Sequence, residues 1–293
     1  MASWLDDIID QNKVSLCNQV WVSTGLSKNK SNWSFSDEWE FHRSNVGDIT
    51  WDYTSKQRAD QFFLEVQLNK NEIEGKVILD AGCGSGYLTR TLSELGAKVI
   101  GLDLQVNLPG DWSTDNLQFV QADFHDLPFN PACFDYIIAN GSLHHTPNTE
   151  AAFKKLAPLV KNNGKFYLWL YKHQTNFRKR ILWNFFDVSR LVISRLPVRI
   201  ERLCVNLYTE IFYLISKIRK GRNTNRGKNE LRVNLYDTLT PRYRNYHSPE
   251  EVARWFHESS FEPPVITHWD NDYGFGLVGT KRINVPKAPG ENF

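Results

Sequence analysis

From Val77 to Tyr171 the chain alternates two patterns. Short unbroken apolar runs, the mark of strands buried on both faces, are separated by stretches whose apolar residues recur at helical spacing. "KVILDA" (76–81) predicts a buried strand, "YLTRTLSELG" (87–96) a helix closed by Gly96, and "AKVIGLD" (97–103) a second strand. "LQFVQAD" (117–123) and "FDYIIAN" (134–140) predict the third and fourth strands, "TEAAFKKLAPLV" (149–160) a helix, and "GKFYLWLY" (164–171) a fifth strand. Strands alternating with helices in this way predict an α/β fold, a doubly wound parallel sheet covered on both faces.

On either side the pattern changes. Residues 1 to about 46 are polar and aromatic with no clear period, and "TSKQRADQFFLEVQL" (54–68) then shows helical spacing. After Tyr171, "NFRKRILWNFFDVSRLVISRL" and "IERLCVNLYTEIFYLISKIRK" predict two helices separated by Pro197. In the second, Leu203, Leu207, Ile211, Leu214 and Ile218 share one face. A polar link, "GRNTNRGKNE" (221–230), follows. "SPEEVARWFHESSF" then predicts a helix with Ser248 as N-cap, Pro249 at its first position and Glu251 completing a capping box. "PPVITHW" and "GFGLVGTKR" read as a closing hairpin. The expected organisation is an N-terminal segment with a covering helix (1–70), a ligand-binding core (71–172), a helical lid (173–246), the completion of the sheet (247–283) and a tail (284–293).

Charge changes this picture in one region. The net charge of the 293 residues is only +2, yet Lys172–Tyr246 holds 17 Lys or Arg against 5 Asp or Glu. A basic module on an acidic body suits an anionic substrate, nucleic acid or a membrane surface. The four cysteines (Cys17, Cys83, Cys133, Cys204) form no C-x-x-C pair, so no metal site is expected. The acidic start "MASWLDDIIDQ" has no apolar signal core, and no run of about 18 apolar residues exists to cross a bilayer. A soluble cytoplasmic protein is the simplest reading.

The chemistry concentrates where the first strand ends, at Asp80-Ala81-Gly82-Cys83-Gly84-Ser85-Gly86. Glycines there let the chain turn sharply and admit a ligand close to the backbone, and the helix that follows offers unpaired N–H groups. Asp103 ends the second strand 21 residues after Gly82, where an acid can accept both ribose hydroxyl protons. The Gly-x-Gly-x-Gly spacing differs from the Gly-x-Gly-x-x-Gly of dinucleotide folds, which argues against a nicotinamide enzyme. Asp123 after the third strand is positioned to accept from an adenine amino group, with Phe124 beside the ring.

"VILDAGCGSG", "VIGLDL", "VQADFHDLPF", "FDYIIANGSLHHTPN" and "LAPLVKNNGKFYLWLY", in that order, closely resemble the class I S-adenosylmethionine-dependent methyltransferases. The resemblance covers roughly 50–171 and, more weakly, 248–281. It implies a seven-stranded, mostly parallel Rossmann-like sheet with an antiparallel last strand, and S-adenosyl-L-methionine as cofactor. By the same resemblance Asp80, Gly82, Cys83, Gly84 and Gly86 hold the methionine part, Asp103 with Leu104 the ribose, and Asp123 with Phe124 the adenine. Asn140 would face the sulfonium. "YDTLTPRYRNYHSPEEVARWF" (236–256) resembles members acting on small molecules, sugars and secondary metabolites, which also carry a Thr-Trp such as Thr50 and Trp51 ahead of a helix. Arg58 on that helix would then pair with the cofactor carboxylate.

Methyl transfer is an in-line displacement that needs alignment first and a base when the acceptor is a hydroxyl or protonated amine. His145 and His144, just past the fourth strand, and His247 before the final helix are the candidate bases. "NGSL" stands where enzymes that methylate exocyclic amines of bases carry Asn or Asp-Pro-Pro-aromatic, so a base-modifying role on nucleic acid is not expected. The expected function is methyl transfer to an O or N atom of a small or medium-sized organic acceptor in a biosynthetic pathway, with an anionic acceptor as one use of the basic stretch and peripheral membrane contact as a second. The alternatives are a non-catalytic cofactor-binding subunit and a ribose or cap methyltransferase acting on RNA. Oligomeric state is not legible.

Overall fold

A computed structural model describes residues 3–26, 30–50, 53–174, 176–218, 227–270 and 273–283. Trp51 of the Thr50–Trp51 pair, residues 221–226 of the polar link and the tail 284–293 lie outside the described residues. In chain order the strands are β1 (Val14–Cys17), β2 (Val20–Ser23), β3 (Ile49–Thr50), β4 (Tyr53–Thr54), β5 (Val77–Ala81), β6 (Lys98–Asp103), β7 (Leu117–Gln121), β8 (Phe134–Asn140), β9 (Val160–Tyr171), β10 (Val265–Trp269) and β11 (Gly274–Thr280). The helices are α1 (Lys30–Asn45), α2 (Ser55–Val66), α3 (Tyr87–Glu94), α4 (Thr149–Leu156), α5 (Phe177–Ile193), α6 (Val198–Ile218), α7 (Lys228–Leu239) and α8 (Pro249–Glu258).

One nine-stranded sheet runs β1-β2-β7-β6-β5-β8-β9-β11-β10. Strands β7 to β9 pair in parallel, and β11 runs antiparallel to both β9 and β10. These seven form the expected mostly parallel sheet. Its interior strands are buried on both faces, which is why they read as unbroken apolar runs. Leu79, Ile100 and Ile137 pack with α4 and α8 through Phe153, Trp255 and Phe256. Ile78, Val99 and Ile138 face α2 and α3 through Phe62, Phe63 and Leu92.

Three elements correct the sequence reading. The N-terminal segment adds a hairpin, β1–β2, whose β2 pairs in parallel with β7, so the sheet has two strands more than expected. Its two-residue turn, Asn18-Gln19, adopts φ of 48° and 63°, the left-handed geometry of a hairpin turn. Helix α1 emerges from a stretch without a clear period, and α7 begins at Lys228, inside the expected link. The capping box of α8 is present, with Ser248 Oγ accepting from Glu251 N at 3.2 Å.

Candidate functional site

The carboxyl ends of β5 to β9 form the floor of a cavity of about 730 Å³. Its walls and roof come from α1 (Phe35, Trp39), the start of α2 (Arg58), α5 (Trp183), α7 (Asn234, Asp237) and the segment Arg242–Arg244. Ligands of open α/β sheets collect at this edge, where strand ends and helix starts leave polar groups unpaired.

The glycine loop is fixed by its own backbone. Gly82 N and Cys83 N both donate to Leu102 O, at 2.7 and 3.0 Å, and Gly82 has φ +87°. A Cβ at Gly82 would stand 2.2 Å from Ser142 Cβ, and one at Gly84 would stand 2.8 Å from the Trp39 ring. Only glycine fits either place.

Two carboxylates flank the loop. Asp103 accepts from Gly84 N (2.9 Å) and Gln105 N (3.1 Å), so its side chain is aimed before any ligand arrives. Burial pushes its pKa above the usual range, and these backbone donors pull it back. Asp80 accepts from the Thr89 hydroxyl at 2.7 Å, yet burial outweighs that bond and pushes its pKa up to about 6. Burial, with Asp103 and Asp80 nearby, holds the Cys83 thiol well above its usual pKa, so it is no nucleophile near neutrality. Arg58 donates to Glu65 Oε2 at 2.8 Å, while its Nη1 is buried without a hydrogen bond. Asp123 accepts from the backbone and ring of His125, both at 2.9 Å.

The structure brings Arg58, Asp80, Gly82, Cys83, Gly84, Asp103, Leu104, Asp123, Phe124, Asn140 and His145 to this one cavity. Gly86 is not on its wall. It caps α3, with its α-carbon turned toward Pro109 and Phe119. His144 and His247 also lie off the wall, which corrects their reading as candidate bases. His144 is fully buried, its ring 4.1 Å from that of Tyr171, and burial lowers its pKa far enough to keep it neutral. His247 packs 5.0 Å from Trp255 and sits 3.2 Å from Glu251 Oε1, where burial also lowers its pKa.

His145 has different surroundings. Its Nδ1 donates to Tyr243 O at 3.0 Å, and its Nε2 stands 3.3 Å from Asp237 Oδ1, within ion-pair range but off a hydrogen-bond line. Tyr171 OH donates to the other oxygen, Asp237 Oδ2, at 2.8 Å. Burial raises the Asp237 pKa, but His145, Arg244 and Tyr171 together bring it below the usual carboxylate value. Asp237 was not anticipated as a site residue; it lies on α7, a helix that starts inside the expected polar link. Glu38 of α1 was missed as well. It is buried with neither oxygen hydrogen-bonded, and burial first, then Asp237 and Asp103, push its pKa well up. No sequence pattern marked Glu38, and Asp237 fell within the stretch 236–256 without being singled out.

Residues 79–168, which carry the glycine loop, Asp103, Asp123, Asn140 and His145, match the family described as methyltransferase domain. This stretch is a class I S-adenosylmethionine-dependent methyltransferase domain. Arg58, Asp237 and the roofing helices α1, α5 and α7 lie outside the matched residues of the methyltransferase domain. The chain is 30% identical over 145 residues to a ubiquinone biosynthesis O-methyltransferase of Xanthomonas euvesicatoria, covering 44% of this chain and 61% of that protein. It is 35% identical over 107 residues to a sterol 24-C-methyltransferase of Gibberella zeae, covering 33% and 28%. The match therefore spans less than two thirds of either relative. Among solved structures, the Burkholderia thailandensis 1,6-didemethyltoxoflavin-N1-methyltransferase, with bound 1,6-didemethyltoxoflavin and S-adenosylhomocysteine, aligns at 16% identity. That alignment covers 92% of this chain and 98% of that one, with a TM-score of 0.47.

Proposed function

We propose that the chain transfers a methyl group from S-adenosylmethionine to an O or N atom of a small or medium-sized organic acceptor. The observation that carries this reading is a single cavity whose one wall is the glycine loop with Asp80 and Asp103, and whose other wall is the His145–Asp237 pair. The cradle fits the cofactor: the loop has no room for a Cβ, and two buried carboxylates and the unpaired Arg58 Nη1 surround it. Asp103 would hold the ribose hydroxyls, Asp123 and Phe124 the adenine, and Asp80 and Arg58 the charged methionine end. When bound, S-adenosylmethionine supplies a methyl carbon already activated by its sulfonium.

The remaining work falls to side chains. With Nδ1 of His145 donating to the Tyr243 carbonyl, Nε2, beside Asp237 Oδ1, is the ring nitrogen left to take the acceptor's proton. The Asp237 carboxylate, held by Tyr171, then stabilises the charged ring. Arg244 favours an acceptor that carries an anionic group. Its guanidinium is buried without a hydrogen bond, stacked 4.1 Å from Trp183, and among the described residues only Asp187 Oδ1 lies within ion-pair range, at 3.8 Å. A buried cation so poorly paired gains from a carboxylate or phosphate beside it.

The test is turnover by the full chain of labelled S-adenosylmethionine against a library of phenols, carboxylates and amines. Methylated product from at least one acceptor is expected. Tight S-adenosylhomocysteine binding without product from the isolated chain, and product only with a second protein present, would replace this reading by a cofactor-binding subunit.

A further inference from the structure

We propose that the outer face of α5 and α6 docks on an anionic lipid bilayer, with both helices lying along its surface. Helix α6 is inside out for a helix in water. The side chains it buries are Glu201, Val205 and Thr209, while Leu203, Leu207 and Leu214 are 56–67% exposed and Ile218 79%. With Ile211, 45% exposed, these apolar positions recur every three or four residues, so they form one continuous stripe. Helix α5 repeats the arrangement, with Ile181, Phe185, Val188 and Val192 each 52–62% exposed. The two helices lie side by side, the Phe186 ring 5.5 Å from Phe212 and Tyr208 OH donating to Ser189 Oγ at 3.0 Å, so the stripes adjoin. An apolar surface of this extent marks an interaction site.

Charge identifies the occupant. Helices α5 and α6 carry seven Lys or Arg against three Asp or Glu. None of the three acids is free on the face: Glu201 is buried, Asp187 accepts from Arg190 and Tyr246, and Glu210 meets Lys228 at 2.5 Å. Arg178, Arg199 and Lys217 are exposed immediately beside the stripe residues Phe177, Ile200 and Ile218. Basic side chains bordering an apolar stripe match an anionic headgroup layer above acyl chains. A second copy of the chain would bring the same positive charge against itself. Among the described residues no helix is long and apolar enough to cross a membrane, so the helices lie on the bilayer. The opposite side of α5 presents Trp183 to the cavity, so docking would bring the bilayer to the helix that walls the candidate site.

Sedimentation of the full chain with vesicles tests this. Vesicles of phosphatidylcholine mixed with phosphatidylglycerol are expected to carry the protein down. Phosphatidylcholine alone, or the mixed vesicles in high salt, should retain about tenfold less. Leu207→Ser with Leu214→Ser should cut partitioning about tenfold while S-adenosylhomocysteine affinity and circular dichroism stay as in the parent, which separates lost docking from lost fold. Parent protein that ignores anionic vesicles at low salt, or a double variant that binds them as the parent does, overturns the proposal. Sedimentation of the parent as a dimer that the double variant breaks, without vesicle binding, overturns it in favour of a second copy.

Discussion

Asp80 couples its charge to whatever stands beside it. Its pKa is raised from 3.8 to about 6 by burial. Below about pH 4 it is protonated in both folded and unfolded chains and costs nothing. Between about 4 and 6 the unfolded chain gives up the proton while the folded chain keeps it, so stability falls as pH rises, by about 3 kcal/mol in all. Asp80→Asn should therefore stabilise the ligand-free protein by about 2 kcal/mol at pH 7.5 and not at pH 4, read by urea denaturation. With an ammonium group held at Asp80 the sign reverses, and calorimetry should find S-adenosylhomocysteine affinity falling as pH drops through about 6. His145 carries a second prediction. His145→Ala should lower turnover about a hundredfold, and Asp237→Asn about tenfold, each with cofactor-product affinity nearly unchanged in calorimetry. The acids at strand ends were legible, because a parallel sheet presents its carboxyl edge to the ligand whatever the fine packing. Adjacent histidines were not. His144 and His145 share one tight turn, Leu143–His145, and only the packing against Tyr171 decides which ring meets the cavity.

At the scale of elements, legibility followed burial. The strands β5 to β9 announce themselves because both faces are dry. Helix α1 does not, because its sides meet unlike neighbours: Phe35 and Trp39 the cavity, Asp37 the guanidinium of Arg202 on α6. With no single watery face it shows no single period. The short hairpin strands are too brief to display one. Helix α6 misleads in another way, since its apolar stripe is plain in sequence yet turns outward. Helix α2 is anchored by the buried Arg58–Glu65 pair, whose side chains are 11% and 3% exposed. Removing one partner strands the other charge, so Glu65→Gln should cost about 3 kcal/mol in chemical denaturation. Because Arg58 would lose its orientation, S-adenosylhomocysteine binding should weaken with it.

For the molecule as a whole, the N-terminal hairpin closes the β7 edge of the sheet, and Leu5, Ile8, Ile9 and Trp21 belong to the core that holds β5 to β8. A chain starting at Ser27 would leave that edge and core open, and light scattering should show it aggregating at concentrations where the full chain stays monodisperse.

The position of β11 sets an order of events during synthesis. The strand nearest the end of the described chain inserts between β9 and β10, and among the described strands it alone covers the far edge of the 12-residue β9. From Tyr171 to Thr280 the ribosome must add 109 residues, about 5–20 s of translation. For that interval the longest strand of the sheet waits with its backbone donors and acceptors bare. A nascent chain halted near Tyr246 already holds every cavity residue that precedes β10, yet it carries that open edge. Chaperone capture should peak for chains of this length and fall once Thr280 has cleared the exit tunnel.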